Sequence, residues 1–93
     1  MLFTWIGFLK PDAGPIPQEV QLQNTEFIAQ PYIKIRAAGP LHDDAGNRAG
    51  MMMLFEVPDR KAAEAFVADS PYLRAGLYER HHLFEYHTEV GSL

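Results

Sequence analysis

Met51-Met52-Met53-Leu54-Phe55-Glu56-Val57, then Pro58-Asp59, then Arg60-Lys61-Ala62-Ala63-Glu64-Ala65-Phe66-Val67, is the stretch on which the architecture turns. Its first seven residues place apolar groups on both parities, as expected of a strand covered on both sides rather than half solvated. Pro58 stops that pairing, and Asp59 is the residue type that accepts the free amides of a helix N-terminus. Beyond it, Ala62, Ala63, Phe66 and Val67 recur at helical spacing, so a helix leaves the strand with one apolar face. Ser70-Pro71 then repeats the start signal, a cap followed by proline at the first helical position, and Gly76 is placed to end a short turn of helix. Tyr78 to Thr88, rich in aromatic residues, reads as a last strand with a frayed tail to Leu93.

Working back towards the N-terminus, His42 to Asn47 with Asp43, Asp44 and Gly46 has turn chemistry and predicts a hairpin. Tyr32 to Ala38 alternates Ile33, Ile35 and Ala37 with Lys34 and Arg36, a strand expected to end at Gly39-Pro40. Leu2 to Leu9 is another strand with apolar groups on both parities, stopped by Lys10-Pro11. Pro11 to Pro17 is a proline-rich loop that feeds a helix from Gln18 to Gln30, whose apolar stripe reads Val20, Leu22, Phe27 and Ile28 and which Pro31 closes.

The order is β, α, β, β, α, β within 93 residues, with no linker and no internal repeat. That predicts one α+β domain over residues 1–93 with ferredoxin-like topology: a four-stranded antiparallel sheet carrying two helices on one face. The other face is then bare, and it draws apolar residues from one parity of Leu2 to Phe8 and of Met51 to Phe55. Covering about five such side chains is worth on the order of 10 kcal/mol, comparable to the stability of a whole domain. A second copy of the chain, packed sheet on sheet as a homodimer, is the expected cover.

Composition narrows function mainly by exclusion. With no cysteine there is no disulfide framework, thiol nucleophile or thiolate metal site, and a cytoplasmic location is the expectation. The apolar start is short, lacks a basic leader and does not read as a signal peptide. No apolar run approaches the roughly 20 residues of a membrane span. A net charge of −4 with mixed signs argues against nucleic acid or anionic lipid as partner.

Gly39-Pro40-Leu41, the helix Ala62-x-x-Ala65-Phe66, and above all Ser70-Pro71-Tyr72-x-x-Ala75-Gly76-Leu77 resemble the YCII-related (YciI-like) domain family. The likeness runs from about Phe3 to Tyr86. It implies a dimeric α+β barrel in which two such sheets pack face to face and a small cleft forms between helix and sheet. Some members resemble dehydrochlorinases of chlorinated hydroxyquinones, and the wider superfamily includes muconolactone-type isomerases and small monooxygenases. The catalytic pair it implies is a histidine in the first helix and an aspartate before the Pro-Tyr dipeptide. Here the first position falls on Gln21 or Leu22, and Ser70 precedes Pro71 with Asp69 one place earlier. A glutamine orients a ligand but does not carry a proton near neutral pH.

By that resemblance Ser70 and Asp69 are the candidate catalytic residues, although the same two residues also serve to end one helix and cap the next. Gln21, Tyr72, Arg36 and His82 are the candidate substrate-binding residues, with Lys34, Arg36, Arg80 and His82 as a cationic patch suited to a small anionic or aromatic ligand. His81, Glu85 and His87 share a strand parity, but with no i, i+2 histidine pair no metal site is expected, nor any cofactor. Two functions follow: a cofactor-free lyase or isomerase acting on a small cyclic acid or quinone, or a non-catalytic dimeric module that binds a metabolite or a protein. The sequence leaves open whether the chain is an enzyme.

Overall fold

The alternation and cap signals are realised in a computed structural model that describes residues 1–93. The elements are β1 (Leu2–Leu9), α1 (Gln18–Ala29), β2 (Lys34–His42), β3 (Arg48–Glu56), α2 (Arg60–Ala68), α3 (Pro71–Arg74) and β4 (Tyr78–Tyr86). The strands form one antiparallel sheet in the order β2-β3-β1-β4, so the two strands apolar on both parities are the central ones. This is the ferredoxin-like α+β fold expected from the element order. No helix is long and apolar enough to cross a membrane.

The core lies on the helix side. Phe3 and Trp5 of β1, with Met53 and Phe55 of β3, pack against Ala63, Phe66 and Val67 of α2, Tyr72 of α3 and Tyr78 of β4. The local start signals act as read: the Asp59 carboxylate accepts from the Ala62 amide at 2.8 Å, and the Ser70 hydroxyl accepts from the Leu73 amide at 3.4 Å. At the hairpin tip the Asp43 carboxylate accepts from the amides of Ala45 and Asn47.

Several boundaries differ from expectation, among them the start of β2, at Lys34 rather than Tyr32. β2 does not stop at Gly39-Pro40 but runs to His42, with Pro40 opposite Met51. β2 is an edge strand, and an edge tolerates a proline whose missing N–H is on the unpaired side. β3 correspondingly begins at Arg48, and β4 ends at Tyr86. In α1, Leu22 is 60% exposed, and the inward stripe is instead Val20, Asn24, Phe27 and Ile28. The offset arises because α1 meets the domain through Phe27, which stacks on Phe66 at 4.7 Å and sets the rotation of the helix.

Each of three strands carries one extra residue: Arg36 in β2, Ala49 in β3 and Glu79 in β4. Such bulges re-aim the side chains beside them. On the helix-free face lie Leu2, Thr4, Ile6 and Phe8 of β1, Met52 and Leu54 of β3, and Phe84 and Tyr86 of β4, at positions alternating with the core residues. Phe84 is 55% exposed there. At one edge of this face Arg36 Nη2 meets Glu56 Oε1 at 2.6 Å, and at the other the Arg80 guanidinium lies over the Phe8 ring at 4.7 Å. After Tyr86 the chain returns towards β2, where the Leu93 carbonyl accepts from Arg36 Nη1 at 3.4 Å.

Candidate functional site

Between α1 and the sheet the structure encloses a small cavity. It is walled by Trp5, Met51, Met53 and Tyr78 from the strands, Asn24, Phe27 and Ile28 from α1, and Ser70 from the start of α3. Its volume of about 20 Å³ admits about one water molecule. The wall is apolar apart from the polar groups that Asn24, Ser70 and Tyr78 bring to it, the composition of a small-molecule site. A wider groove of about 460 Å³, bounded by Phe27, Ile33, Ala62 and Phe66, opens outside α1, with polar contributions only from Gln30, Tyr32 and Asp69.

Tyr78 reaches the cavity because of two local features. The bulge at Glu79 shifts its parity, turning it towards the helices, and Gly7 leaves room for its ring. A β-carbon on residue 7 would stand 2.6 Å from the Tyr78 ring. The ring is further fixed edge-on by Trp5 at 5.6 Å and by Tyr72 at 6.3 Å. Burial, and then the neighbouring Tyr72 phenol, push the Tyr78 hydroxyl well above its usual 10, against an opposing pull from Arg48. Tyr78 is therefore a neutral hydrogen-bond donor at physiological pH, not a base.

This has a consequence for stability. The folded chain holds the Tyr78 proton to higher pH than the unfolded chain does, so its contribution is complete below about pH 10 and is lost as pH rises beyond that. Wild type is expected to lose stability between about pH 10 and 11 by up to roughly 1.4 kcal/mol per pH unit more than Tyr78→Phe. Urea midpoints measured from pH 8 to 11 check this, and parallel curves for the two proteins would refute it.

Trp5 is held from its other side by His81, whose Nδ1 lies 3.0 Å from the Trp5 indole nitrogen. The indole only donates, so the imidazole accepts through Nδ1 and carries its proton on Nε2. His87 pairs with Glu85, leaving His81 engaged with Trp5 rather than with them.

The residues singled out from the sequence fall in several places. Ser70 is 1% exposed and lines the cavity, while its hydroxyl also caps α3. Asp69 is exposed on the outer side of that turn, bound to Arg74 at 2.8 Å. Gln21 points to solvent and donates to the Ile16 carbonyl at 2.8 Å. Asn24, three residues on, is the polar residue that α1 turns into the cavity, since the rotation of the helix rather than its composition selects it. Tyr72 is buried behind the wall and supports Tyr78 instead of lining the cavity.

Arg36 and His82 do not join Ser70. Both lie on the helix-free face, the sheet separating them from the cavity, and they sit on opposite edge strands three strand spacings, roughly 14 Å, apart. The expected cationic patch is thus divided, and Arg36 is neutralised by Glu56, whose carboxyl the hydrogen bond from Arg36 holds below its usual range.

Missed by sequence reading were Asn24, Trp5, Tyr78 and the neighbouring Arg48. The only available signal for Arg48 was a lone basic residue after the hairpin, which carries no direction until the bulge at Ala49 is known.

Comparison with known proteins bears on this arrangement. No curated protein matches the chain. Among solved structures, it is similar to 5-chloro-2-hydroxyhydroquinone dehydrochlorinase from Burkholderia phenoliruptrix in complex with 2,5-dihydroxybenzoquinone, at 19% identity over 94% of each chain with a TM-score of 0.77. It is also similar to an antibiotic biosynthesis monooxygenase, at 20% identity over 90% of this chain and 94% of that one, TM-score 0.52. A NIPSNAP domain protein from Burkholderia xenovorans matches at 16% identity over 99% of this chain and all of the other, TM-score 0.52. At these identities the structures attest the fold. The sequence profile of the YCII-related domain matches residues 7–87, from the glycine beneath Tyr78 to one residue past the last strand, and the chain belongs to that family.

Proposed function

We propose that this protein binds a small cyclic acid or quinone in the cavity beneath α1 and carries out a cofactor-free lyase or isomerase step on it. The observation that carries the reading is the presence of Asn24, Ser70 and the neutral Tyr78 in the wall of an otherwise apolar enclosure. Removing a proton beside a carbonyl places negative charge on its oxygen, and buried donors aimed at that oxygen stabilise it far more than water-exposed ones do. The dehydrochlorinase with which the chain shares its fold is seen with 2,5-dihydroxybenzoquinone, a ligand of this size and polarity.

Admitting a six-membered ring requires the enclosure to widen. α1 has no fully buried residue, and Met51 and Met53 are unbranched, so the helix side of the wall is the part that yields. The cavity wall holds no carboxylate; Asp69, the nearest to Ser70 in the chain, lies on the outer side of the turn, so in this reading it takes the proton only after leaving Arg74 and turning inward. A homodimer formed through the helix-free sheet face accompanies this reading, since that face presents the exposed Phe84 beside the half-buried Leu2, Ile6, Phe8 and Met52.

A second reading, a non-catalytic metabolite-binding dimer, is favoured by the neutrality of every side chain in the cavity wall. Incubation with 5-chloro-2-hydroxyhydroquinone, followed by chloride release and by the quinone absorbance, separates the two. The catalytic reading expects turnover that Asp69→Asn lowers by about a hundredfold or more while sparing affinity. Saturable binding with no turnover in wild type leaves the binding module.

A further inference from the structure

We infer that Arg48 is the residue by which the cavity selects an anionic ligand over a neutral one, its guanidinium receiving the ring oxyanion or carboxylate at the mouth. The inference rests on the ligand site proposed above and names the charge of what enters it.

Arg48 opens β3 opposite His42, and the extra residue Ala49 turns it from the helix-free face to the side where the cavity lies. Its Nη2 donates to Met51 Sδ at 2.9 Å, and its guanidinium carbon lies over the Tyr72 ring at 5.7 Å. Met51 is cavity wall, and Tyr72 backs Tyr78, so the cation is one side chain removed from the enclosure.

Arg48, like Arg80 over the Phe8 ring, has no anionic partner, and of these two it is the one on the cavity's side of the sheet. Arg36 has Glu56, Arg60 has Glu64 and Arg74 has Asp69, whereas Arg48 meets only a thioether and an aromatic face. Arg48 is exposed, so its remaining donors face solvent, and neither contact offers the paired oxygens of a carboxylate or of an ionised hydroxyquinone that its planar fork matches. The thioether is also the group most easily displaced, since Met51 must move for a ring to enter. Ligand entry would then exchange a weak sulfur contact for a charge-assisted hydrogen bond. The field of Arg48 already reaches Tyr78, where it opposes the effect of burial on the hydroxyl. The bulge at Glu79 turns Tyr78 and the bulge at Ala49 turns Arg48 to the same end of the helix-covered face, so a ring held by both would have one oxygen facing a neutral donor and another facing a cation.

The test compares two probes of equal ring size by calorimetric titration at pH 7: 2,5-dihydroxybenzoquinone, which is anionic there, and hydroquinone, which is neutral. Wild type, Arg48→Met and Arg48→Lys are titrated, and the indole N–H resonance of Trp5, the protein's single tryptophan, reports whether each probe reaches the cavity. Expected is a loss of at least about tenfold in affinity for the anion in Arg48→Met, with hydroquinone changed by less than about twofold and partial recovery in Arg48→Lys. Raised salt should weaken anion binding to wild type and barely affect Arg48→Met. Equal weakening of both probes would reduce Arg48 to packing on Tyr72, and unchanged affinity for both would remove it from the site; either result overturns the inference while the ligand site stands. If wild type binds neither probe and the Trp5 resonance does not move, the ligand site itself is refuted, and the inference with it.

Discussion

Gly50→Ala is expected to destabilise the domain by at least about 3 kcal/mol, the upper range for forcing extra volume into a packed interior. Gly50 sits in central strand β3 opposite Phe8, and a β-carbon there would lie 2.1 Å from the Gly7 carbonyl oxygen. Neither strand can retreat. β1 is pinned on its other side by β4, and β3 by β2, so relief would require breaking the register that places the core. The clash is with backbone rather than with a side chain that swings aside. The same substitution at Gly39 provides the comparison: that residue lies in edge strand β2 with no atom within 4 Å of the added carbon. Gly39→Ala is expected to be neutral or to gain up to roughly 1 kcal/mol by restricting the unfolded chain. Urea denaturation of the two variants measures the contrast, and equal stabilities would mean that the close approach of β1 and β3 is not a constraint.

Ile6→Glu is expected to separate the protein into single chains. Ile6 occupies the middle of the helix-free face, between Met52 on β3 and His82 on β4. In a sheet-on-sheet dimer each copy loses about 1.5 to 3 kcal/mol of apolar burial. A twofold interface counts that loss twice and adds the cost of a carboxylate in an apolar layer, so the total is on the order of 5 kcal/mol or more per dimer. Sedimentation should show wild type at twice 10.5 kDa and the variant at 10.5 kDa, with a lower melting temperature. A wild type that sediments as a single 10.5 kDa chain and melts where Ile6→Glu melts would sink the sheet-face dimer. The cavity, on the opposite side, would be unaffected.

Parts of this protein are written locally in its sequence and were legible there. The two-sided apolar runs of β1 and β3, the Asp59 and Ser70 caps and the Asp43 turn each depend on neighbours within about four residues, and each is found where the sequence places it, whereas the alternation expected of β2 is broken by the bulge at Arg36, which puts Ala37 on the face opposite Ile35. Together they were sufficient for the element order and the ferredoxin-like topology. The cavity was a different matter. Ser70 was found through a motif, but Gln21, Arg36 and His82 were assigned to a cleft that they do not line.

Tertiary structure decided which side chains meet. The direction of a strand residue flips with a single extra residue, and whether Ala49 and Glu79 are extra depends on their partners in β2 and β1, far away in the chain. The rotation of α1, which hides Asn24 and exposes Leu22, is set by the stacking of Phe27 on Phe66 rather than by its own weakly patterned sequence. Periodicity is a property of one segment, and it determined the elements and their order; facing is a property of pairs of segments, and only their packing brought Asn24, Ser70, Tyr78 and Arg48 to one end of the sheet.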